Sequence, residues 1–424
     1  MVVAITSSFS ALSQTPFVTS APGKAILFGE HAVVYGKTAL AGSLAMRAYA
    51  LVYPRTDSKI TFILPDVQVN LSYTPDQIPT LATVQALEHP GDIVHQLDAN
   101  LLPQEGPGRT AAMTFLYLCG QLLSKQKRES GFSIAVRSLV PVGSGLGSSA
   151  AFNVALAAAL LKMEGMVSKE HADNGVLDTA DYELINQWAF RGEQVAHGTP
   201  SGIDNSVATW GGFLRYIKGT PPQPLQNSSS IKMLISDTQV PKSTKGLVAG
   251  VRQLRDSHTI AIDYIMDAIN QISKDTAARL QDPKLPAGDL QKHLSEAVAL
   301  NHGLLAALGV SHQSLERVRQ ITATYGMPSK LTGAGGGGCA ITLVSDNQEN
   351  VEAMTGELLA EGFHCYPTVV GGPGVAITGS VGTESVENWI KRVSKSGSLK
   401  HTPETLVEAF CSLSNSTFDD LAPQ

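Results

Sequence analysis

Alternation of apolar and polar residues predicts several strands in the first third of the chain. Phe17 begins one such stretch, and runs such as ITFIL follow between residues 38 and 73, where Pro54 and Pro65 mark turns. Residues 131–143 alternate in the same way. Because this last stretch leads into a glycine-rich loop and then a helix-forming segment, we expect a strand, a loop and a helix in succession.

Helix-forming composition and a period near 3.6 residues predict the helices. Residues 74–108, ahead of the first helix, are polar and interrupted by prolines, so we expect a long surface connection there. Pro241 stands near the start of a long, largely helical run. The predicted helices cover residues 110–123, 148–163, 181–197, 241–272, 289–308 and 315–325.

A segment rich in Pro, Gln and Ser over residues 219–230 is the best candidate for a domain boundary. It follows a strand predicted over 210–217, and we therefore expect an α+β protein of two domains. The last forty residues turn rich in Ser, Thr and acidic residues, which is typical of a frayed tail. The predicted divisions are a flexible lead over 1–16, an N-terminal domain over 17–225, a C-terminal domain over 226–395 and a flexible tail over 396–424.

Composition fits a globular protein with sizeable cores: of 424 residues, 43% are hydrophobic and 16% are charged. A net charge of -6 argues against a nucleic-acid partner or an anionic membrane surface. The longest apolar runs are too short to span a bilayer, and the first twenty residues do not resemble a signal peptide. Four scattered cysteines lack metal-ligand or disulfide spacing, so we expect a reducing, cytoplasmic location.

The stretch PVGSGLGSSA, residues 141–150, is the first candidate for chemistry. Gly143, Gly145 and Gly147 allow positive φ angles and close approach of a ligand to the main chain. The helix that follows begins near Ser148, and its unpaired N–H groups attract anions, while the hydroxyl of Ser149 can ligate Mg²⁺. No lysine completes a Walker A motif, and the alternative is a glycine-rich turn that only caps the helix.

A second stretch, APGKAILFGEHAVVYG over residues 21–36, predicts a turn at Pro22 that presents Lys24 beside an apolar run. Glu30 and His31 follow where that run stops. Taken alone, Lys24 could be a solvated lysine, and Glu30 with His31 could be a capping or surface pair. Spacing does not decide between these interpretations.

Two acidic residues lie between the glycine-rich stretch over residues 141–150 and another over residues 330–344. Glu193 lies in the predicted helix over 181–197, and Asp204 lies in the sequence HGTPSGIDNSV, which predicts a loop. An isolated Asp in a loop more often caps the next segment, and Glu193 alone would be a solvated helix residue. Farther on, KLTGAGGGGCAITLV over residues 330–344 passes from a flexible glycine-rich loop into a strand.

Four stretches occur together in one order: APGKAILFGEHAVVYG, PVGSGLGSSAAFNVALAAAL, HGTPSGIDN and KLTGAGGGGCAITL. On these stretches the chain resembles the mevalonate kinases, of the eukaryotic type, within the GHMP kinase superfamily. The resemblance covers most of residues 18–380. It implies a two-domain fold, with a ribosomal-S5-like α/β domain first, a ferredoxin-like domain second and an active site in the cleft between them.

The resemblance also implies phosphorylation of the C5 hydroxyl of mevalonate by ATP with Mg²⁺, a step toward isoprenoids and sterols. Asp204 matches the proposed catalytic base and Lys24 its partner, while Ser149 and Glu193 match the metal ligands. Phosphoryl transfer suits such a set because it requires mainly positioning and charge neutralisation. The implied nucleotide contacts are Lys24, Ser138, Gly143, Ser144, Gly145, Leu146, Gly147, Ser148 and Ser149, and the implied substrate contacts are Glu30, His31, Thr244, Gly333 and Ala334.

Two positions depart from the family pattern near the nucleotide: Asp66 stands where relatives often have Asn, and Phe152 where Tyr is common. The resemblance further implies a homodimer and feedback inhibition by prenyl diphosphates. Two alternatives remain open, another small-alcohol kinase of the superfamily and a non-catalytic ligand sensor. The presence together of four residues disfavours the sensor: Lys24, Ser149, Glu193 and Asp204.

Overall fold

The computed structural model describes residues 15–85, 87–167, 177–226, 229–381, 384–393 and 403–421. Helices and strands are interspersed over these ranges, and most neighbouring strands run antiparallel. The α+β class predicted from the sequence is therefore confirmed.

Strands and helices have the following bounds. The strands are β1 Phe17–Phe28, β2 Ala39–Pro54, β3 Ile60–Leu64, β4 Val69–Tyr73, β5 Phe132–Ser138, β6 Phe213–Tyr216, β7 Gln223–Pro224, β8 Ile231–Asp237, β9 Ser329–Leu331, β10 Cys339–Leu343, β11 His364–Val370, β12 Ala376–Thr378, β13 Ser380–Val381 and β14 Glu384–Ser385. The α-helices are α1 Leu81–Gln85, α2 Gly106–Leu122, α3 Lys125–Ser130, α4 Ser148–Glu164, α5 Thr179–His197, α6 Ile203–Trp210, α7 Thr244–Ser257, α8 Thr259–Leu280, α9 Ala287–Ala307, α10 Gln313–Thr324, α11 Gln348–Ala360, α12 Val386–Val393 and α13 Pro403–Cys411. Short 3-10 helices lie at Ala32–Tyr35, Pro65–Val67, Pro75–Gln77, Pro90–His95, Ala99–Leu101 and Asn415–Leu421.

A twelve-stranded sheet runs through the molecule in the order β4-β3-β5-β2-β11-β8-β10-β9, with β1, β6, β7 and β12 attached beside this path. β2 is the central strand because it pairs with β1, β5, β6 and β11. Its junction with β11 pairs Leu44 with Val370. This junction separates a half built on β2 from a half built on β8.

Helix α4 lies at the centre of the first half, and every residue from Val154 to Leu161 is buried. A helix that is apolar on all sides belongs inside a core, and here α4 packs with α2, α5 and one face of the sheet. Because this packing fixes the whole helix, it also fixes the position of the first helical turn at Ser148.

The predicted turn at Pro22 is wrong, because β1 continues without a break from Phe17 to Phe28. The register of β1 against β2 shifts between Pro22 and Lys24. Such an irregularity tolerates a proline, which has no N–H for the ladder. A strand, and not a flexible turn, therefore presents Lys24.

Two other predicted segments differ from the structure. Residues 74–108 are not a plain surface connection, because they form short helical turns that bury Ile78 and Ile93. These apolar residues are spaced too irregularly to show a period. The helix predicted over 241–272 divides into α7 and α8 at His258, where φ is -137° and ψ is 49°.

The flexible tail predicted over 396–424 is wrong for the described residues 403–421. Helix α13 and the turn after it bury Val407, Phe410, Leu413 and Phe418 against β1, β2 and β5. These strands are apolar on both faces, so a second layer must cover the face opposite α4. Ser- and acid-rich composition obscured the few large apolar residues that form this layer.

Of the lead predicted over 1–16, residues 1–14 lie outside the described residues, as do residues 396–402 and 422–424 of the predicted tail. The boundary near residue 225 stays a prediction, and β7 pairs with β6 just before it. Within the described ranges, we find no helix that is both long and apolar enough to cross a membrane.

Candidate active site

A cavity of about 880 Å³ lies between the two halves of the molecule. Residues 143–147, the first glycine loop, and residues 333–338, the second glycine loop, border it together with β1, α4, α5, α6 and α7. Most of the site residues named from the sequence line it: Lys24, Glu30, His31, Ser138, Gly143, Gly145, Gly147, Ser148, Ser149, Glu193, Asp204, Thr244, Gly333 and Ala334.

Ser144 and Leu146, which were also predicted to contact the nucleotide, do not line this cavity. The hydroxyl of Ser144 donates to the carbonyl of Pro141 at 2.8 Å and accepts the N–H of Leu146 at 3.4 Å. The side chain of Leu146 packs in the core. Both side chains therefore stabilise the first glycine loop on the side that faces away from the cavity.

The first glycine loop is tied directly to β1. Gly143, Gly145 and Gly147 have φ angles of 78°, 84° and 78°, which only glycine adopts without strain. The N–H of Lys24 donates to the carbonyl of Leu146 at 2.7 Å. A Cβ at Gly23 would lie 2.7 Å from that same carbonyl, so glycine is needed for this approach.

Lys24 and Asp204 form an ion pair inside the cavity. The Nζ atom of Lys24 lies 3.3 Å from Oδ2 of Asp204 and donates to the carbonyl of Gly145 at 3.1 Å. The side chain of Lys24 is 8% exposed, whereas that of Asp204 is 40% exposed. Lys24 is therefore fixed between the loop and the acid, while the carboxylate remains accessible to a ligand.

The loop predicted around Asp204 is wrong in detail, because Asp204 lies in the first turn of α6. Gly202, with a φ angle of 81°, precedes the helix as its N-cap. The run of Gly and Pro residues ends just before the helix begins. A carboxylate at this position is stabilised by the helix dipole and is held more rigidly than it would be in a loop.

A buried carboxylate stands beside the start of α4. Glu193, on α5, accepts the hydroxyl of Ser149 at 2.7 Å and the amide of Asn153 at 2.6 Å. Nε2 of His197 lies 3.9 Å from its other oxygen, Oε2. Burial raises the pKa of Glu193, and a bound cation would lower this pKa again because it favours the charged carboxylate.

The second glycine loop is joined to His31. Nε2 of His31 lies 2.8 Å from the carbonyl of Ala334, and because a carbonyl only accepts, Nε2 carries the hydrogen. Burial lowers the pKa of His31, so the ring is neutral near pH 7 and its Nδ1 is left as an acceptor. His31 has a φ angle of 61°, a strained conformation for a residue other than glycine.

Glu30 lies in the wall of the cavity with its carboxylate turned into the protein. Its side chain is fully buried, where it forms an ion pair with Lys330 and accepts the amide of Asn301 at 3.2 Å. Desolvation raises the pKa of Glu30 and lowers that of Lys330, while their mutual attraction opposes both changes. The geometry thus gives Glu30 a structural role rather than direct contact with a ligand.

The end of the cavity beyond the first glycine loop is largely apolar. Leu64, Val67, Ala111 and Phe152 line this apolar lobe, together with Val136, Pro107 and Thr110. Asp66 and Ser138 stand at its polar edge. A flat aromatic base fits such a lobe better than a charged group does.

Lys242 is a cavity residue that the sequence analysis missed. Its Nζ atom donates to the carbonyl of Ser144 at 3.3 Å. Burial, together with the nearby charge of Lys24, lowers its pKa. A Cβ at Gly338 would collide with this lysine side chain, so the two glycine loops leave a groove for it. The sequence offered only a lysine after Pro241, a weak signal.

Comparisons with known proteins agree with this architecture. Two family models match, GHMP kinases N terminal domain over residues 114–212 and GHMP kinases C terminal over residues 285–361. The chain is 39% identical to mevalonate kinase of Candida albicans, over 86% of this chain and 90% of that protein. It is 39% identical to mevalonate kinase of Homo sapiens, over 87% of this chain and 96% of that protein.

Solved structures share the fold of this chain. The mevalonate kinase of Methanococcus jannaschii aligns with a TM-score of 0.64 at 25% identity, covering 83% of this chain and 98% of that one. The L. major mevalonate kinase, solved in complex with R-mevalonate, shares the fold with a TM-score of 0.63 at 24% identity, covering 84% of this chain and 96% of that one. With both GHMP domains matched and 39% identity to mevalonate kinases over most of its length, the chain belongs to the mevalonate kinase family of the GHMP kinases.

Proposed function

We propose that the chain transfers the γ-phosphoryl group of ATP to the C5 hydroxyl of mevalonate, an early step toward isoprenoids and sterols. One observation carries this proposal at the level of the site. Lys24 contacts both the carboxylate of Asp204, at 3.3 Å, and the carbonyl of Gly145 in the first glycine loop, at 3.1 Å. An acceptor hydroxyl beside Asp204 would therefore stand next to phosphates bound at that loop.

Asp204 orients the C5 hydroxyl and accepts its proton as the new O–P bond forms and the bond from the γ-phosphorus to the bridging oxygen breaks, so that ADP leaves. Lys24 donates hydrogen bonds toward the same oxygen, which favours its alkoxide character, and neutralises charge on the transferring group. The rigid supports of both residues, β1 and α6, keep the reacting atoms in position without a large rearrangement.

The first glycine loop and the start of α4 bind the β- and γ-phosphates through main-chain N–H groups and the helix dipole. Ser148 and Ser149 supply hydroxyls in the first helical turn. Lys242 adds a positive charge from the second half of the molecule. The adenine base occupies the apolar lobe, with Ser138 at its edge.

The oxygens of Ser149 and Glu193 would hold Mg²⁺. One neutral hydroxyl and one carboxylate form a weak, water-rich site, as Mg²⁺ on a nucleotide requires. The bound ion supplies neutralisation of phosphate charge. In the protein itself, Asn153 keeps the Glu193 carboxylate oriented toward Ser149 by its 2.6 Å hydrogen bond.

Mevalonate lies between Asp204 and the second glycine loop. The neutral ring of His31 and the hydroxyl of Thr244 are polar groups for its carboxylate and hydroxyls, and Gly333 and Ala334 form the wall. Glu30 contributes by fixing β9 through Lys330 and not by touching the substrate.

The test measures ADP release by the purified chain with ATP and each of mevalonate, phosphomevalonate, galactose and homoserine. We expect a kcat/KM for mevalonate at least about a hundredfold above the others, since a site built for polar substrate groups strongly rejects analogues lacking them. Faster turnover of another alcohol would assign the chain to a different kinase activity. Mevalonate binding by calorimetry without turnover would support the ligand sensor instead.

The proposal extends to three properties that rest on the resemblance and on composition: a homodimer, a cytoplasmic location and inhibition by prenyl diphosphates. A prenyl diphosphate would compete with ATP at the first glycine loop, because both ligands carry a diphosphate. Farnesyl diphosphate should therefore raise the ATP KM and leave kcat unchanged. Light scattering of the purified chain tests the dimer.

A further inference from the structure

Arg137 is a largely buried arginine at the end of β5, outside the catalytic groups described above. Its Nε donates to Oδ1 of Asp66 at 3.1 Å. Its Nη1 donates to the carbonyls of Cys411 at 2.6 Å and Leu413 at 3.1 Å. One guanidinium therefore connects the nucleotide side of the cavity with the C-terminal segment, residues 403–421.

The C-terminal segment surrounds Arg137 on its remaining sides. Nη2 donates to Oδ1 of Asn415 at 3.3 Å, and the guanidinium lies 5.6 Å from the ring centroid of Phe418. Cys411 is the last residue of α13 and Leu413 lies two residues beyond it, at the end of the helix where its dipole favours a cation. Because Arg137 has donors in a rigid fork, it can satisfy the carboxylate and the carbonyls at once.

Asp66 presents its carboxylate at the edge of the apolar lobe. Oδ2 of Asp66 accepts the main-chain N–H of Ser138 at 2.7 Å, while Oδ1 is bound by Arg137. The side chain is nevertheless 31% exposed. Each carboxylate oxygen can accept a second hydrogen bond, so the fixed carboxylate is an acceptor directed at the same lobe as the apolar residues.

We propose that the C-terminal segment is a positioning element of the nucleotide pocket, acting through Arg137 to fix Asp66 as a hydrogen-bond acceptor for an amino or hydroxyl group of the nucleotide. The inference rests on the proposed position of the base in the apolar lobe. Asp66 binds the nucleotide in this scheme, and Arg137 is a positioning residue. Without Arg137, the carboxylate would keep only the hydrogen bond from the N–H of Ser138 and would lose its second support and its compensating charge.

The experiment compares the full chain with Arg137→Met, Asp66→Ala and a double variant, Asn415→Ala with Phe418→Leu, which removes two side-chain contacts of the C-terminal segment to Arg137. Loss of a charge-assisted hydrogen bond should raise the KM for ATP about tenfold in each case. The KM for mevalonate should stay within about twofold, because the mevalonate groups lie on the other side of the first glycine loop. Combining Arg137→Met with this double variant should add no further increase, since all of these changes act through the same guanidinium.

Val407→Ala is the matched control for a purely structural role of the segment. Val407 is buried in the same cluster as Phe418, and the hydrogen bonds that Arg137 donates to this segment go instead to Cys411, Leu413 and Asn415. Val407→Ala should lower the thermal midpoint and leave the ATP KM unchanged. If this control raises the ATP KM as much as Arg137→Met does, general destabilisation explains the effect and the positioning role is refuted.

Ala111→Phe separates this inference from the proposed position of the base, because the larger side chain would fill the apolar lobe. If Ala111→Phe raises the ATP KM while Arg137→Met and Asp66→Ala leave it within about twofold, the base binds in the lobe but the C-terminal segment does not position it. If none of the three variants changes the ATP KM, the proposed position of the base itself fails.

Two nucleotide analogues identify the donor group. Purine riboside triphosphate lacks the amino group of adenine, and 2′-deoxy-ATP lacks one ribose hydroxyl. To the full chain, the analogue that lacks the donor should bind about tenfold more weakly than ATP. To Asp66→Ala, ATP and this analogue should bind equally weakly. If both analogues bind to the full chain as tightly as ATP, Asp66 is not the acceptor.

Discussion

At the residue scale, three lysines in or beside the cavity have different roles because their surroundings differ. Lys24 is paired with an accessible carboxylate, Lys242 donates to the main-chain carbonyl of Ser144 at 3.3 Å, and Lys330 is buried with Glu30. Within the described residues Lys242 has no acidic partner at ion-pair distance, so its charge is available to a phosphate. Lys24 lies between the first glycine loop and the accessible carboxylate of Asp204, where it can contact both a phosphate and the acceptor hydroxyl. Lys330 has a structural role.

Asp204→Asn tests the acid proposed as base. We expect kcat to fall by at least about a hundredfold, because general-base assistance is worth 10² to 10⁴ in rate, with a much smaller change in the KM for mevalonate. Steady-state kinetics on variants of equal thermal midpoint provide the measurement. Asp346→Asn, which changes an acid that is 95% exposed, is the matched control and should be silent. A tenth or more of normal kcat in Asp204→Asn would exclude the base role.

Lys242→Met tests the lysine that the sequence analysis missed. Removing its charge from the phosphate region should raise the ATP KM and lower kcat, together by about tenfold or more in kcat/KM. Lys245→Met is the control, since Lys245 is an exposed lysine three residues along the chain. Equal kinetics of the two variants would show that Lys242 only fills the groove between the loops.

Ser149→Ala and Glu193→Gln test the proposed Mg²⁺ ligands. Each should raise the Mg²⁺ concentration needed for half-maximal turnover, because a weak site of few protein ligands depends on each oxygen. Ser295→Ala and Glu296→Gln, adjacent residues of α9 outside the cavity, serve as controls. The assignment is abandoned if the Mg²⁺ dependence is the same in all four variants.

At the element scale, packing on both faces of the central strands decides which segments are ordered. β1, β2 and β5 need helix α4 on one side and the C-terminal segment on the other. The sequence of β2 indicates this arrangement. It is apolar along nearly its whole length, which is typical of a strand covered on both faces. The composition of the last forty residues suggested the opposite.

Phe410→Ala tests the C-terminal layer. Truncating this fully buried ring should cost about 3–5 kcal/mol of stability, whereas a flexible tail would lose nothing. Urea unfolding and the thermal midpoint are the measurements. Glu408→Gln, an exposed change on the same helix, is the control. If Phe410→Ala is as stable as the control, the C-terminal segment does not pack as described and the prediction of a flexible tail holds.

At the scale of the whole molecule, the buried pair of Glu30 and Lys330 joins the two halves behind the cleft. Glu30 follows β1 in the first half, and Lys330 lies in β9 of the second. Asn301 of α9 completes the cluster by its bond to Glu30. The pair thereby fixes the distance between His31 and the second glycine loop, whose residue Ala334 is bound by that ring.

Glu30→Gln should destabilise the protein by about 3–5 kcal/mol, because it leaves the charge of Lys330 buried and unpaired. The double variant Glu30→Gln with Lys330→Met should recover much of that loss, since no buried charge then remains. Lys232→Met, in a pair that is 71% and 95% exposed, should change stability by less than about 1 kcal/mol. A double variant no more stable than Glu30→Gln would argue against the charge as the cause.

The sequence by itself determined the local parts of this protein. Glycines at 143, 145 and 147 followed by an alanine-rich run were sufficient to predict a loop and a helix, because the need for positive φ angles and helix propensity are properties of the residues themselves. The order of four motifs identified the family, which the comparisons confirmed.

Only the tertiary structure decided what each polar group faces. Glu30 and Asp204 are both acids in glycine-containing stretches, yet one is sealed against Lys330 and the other stays accessible beside Lys24. The same holds for Lys242, and for Arg137 with its distant partners Asp66 and Leu413. These contacts join residues far apart in the chain, and burial and pairing across such distances depend on the packed sheet rather than on any local pattern.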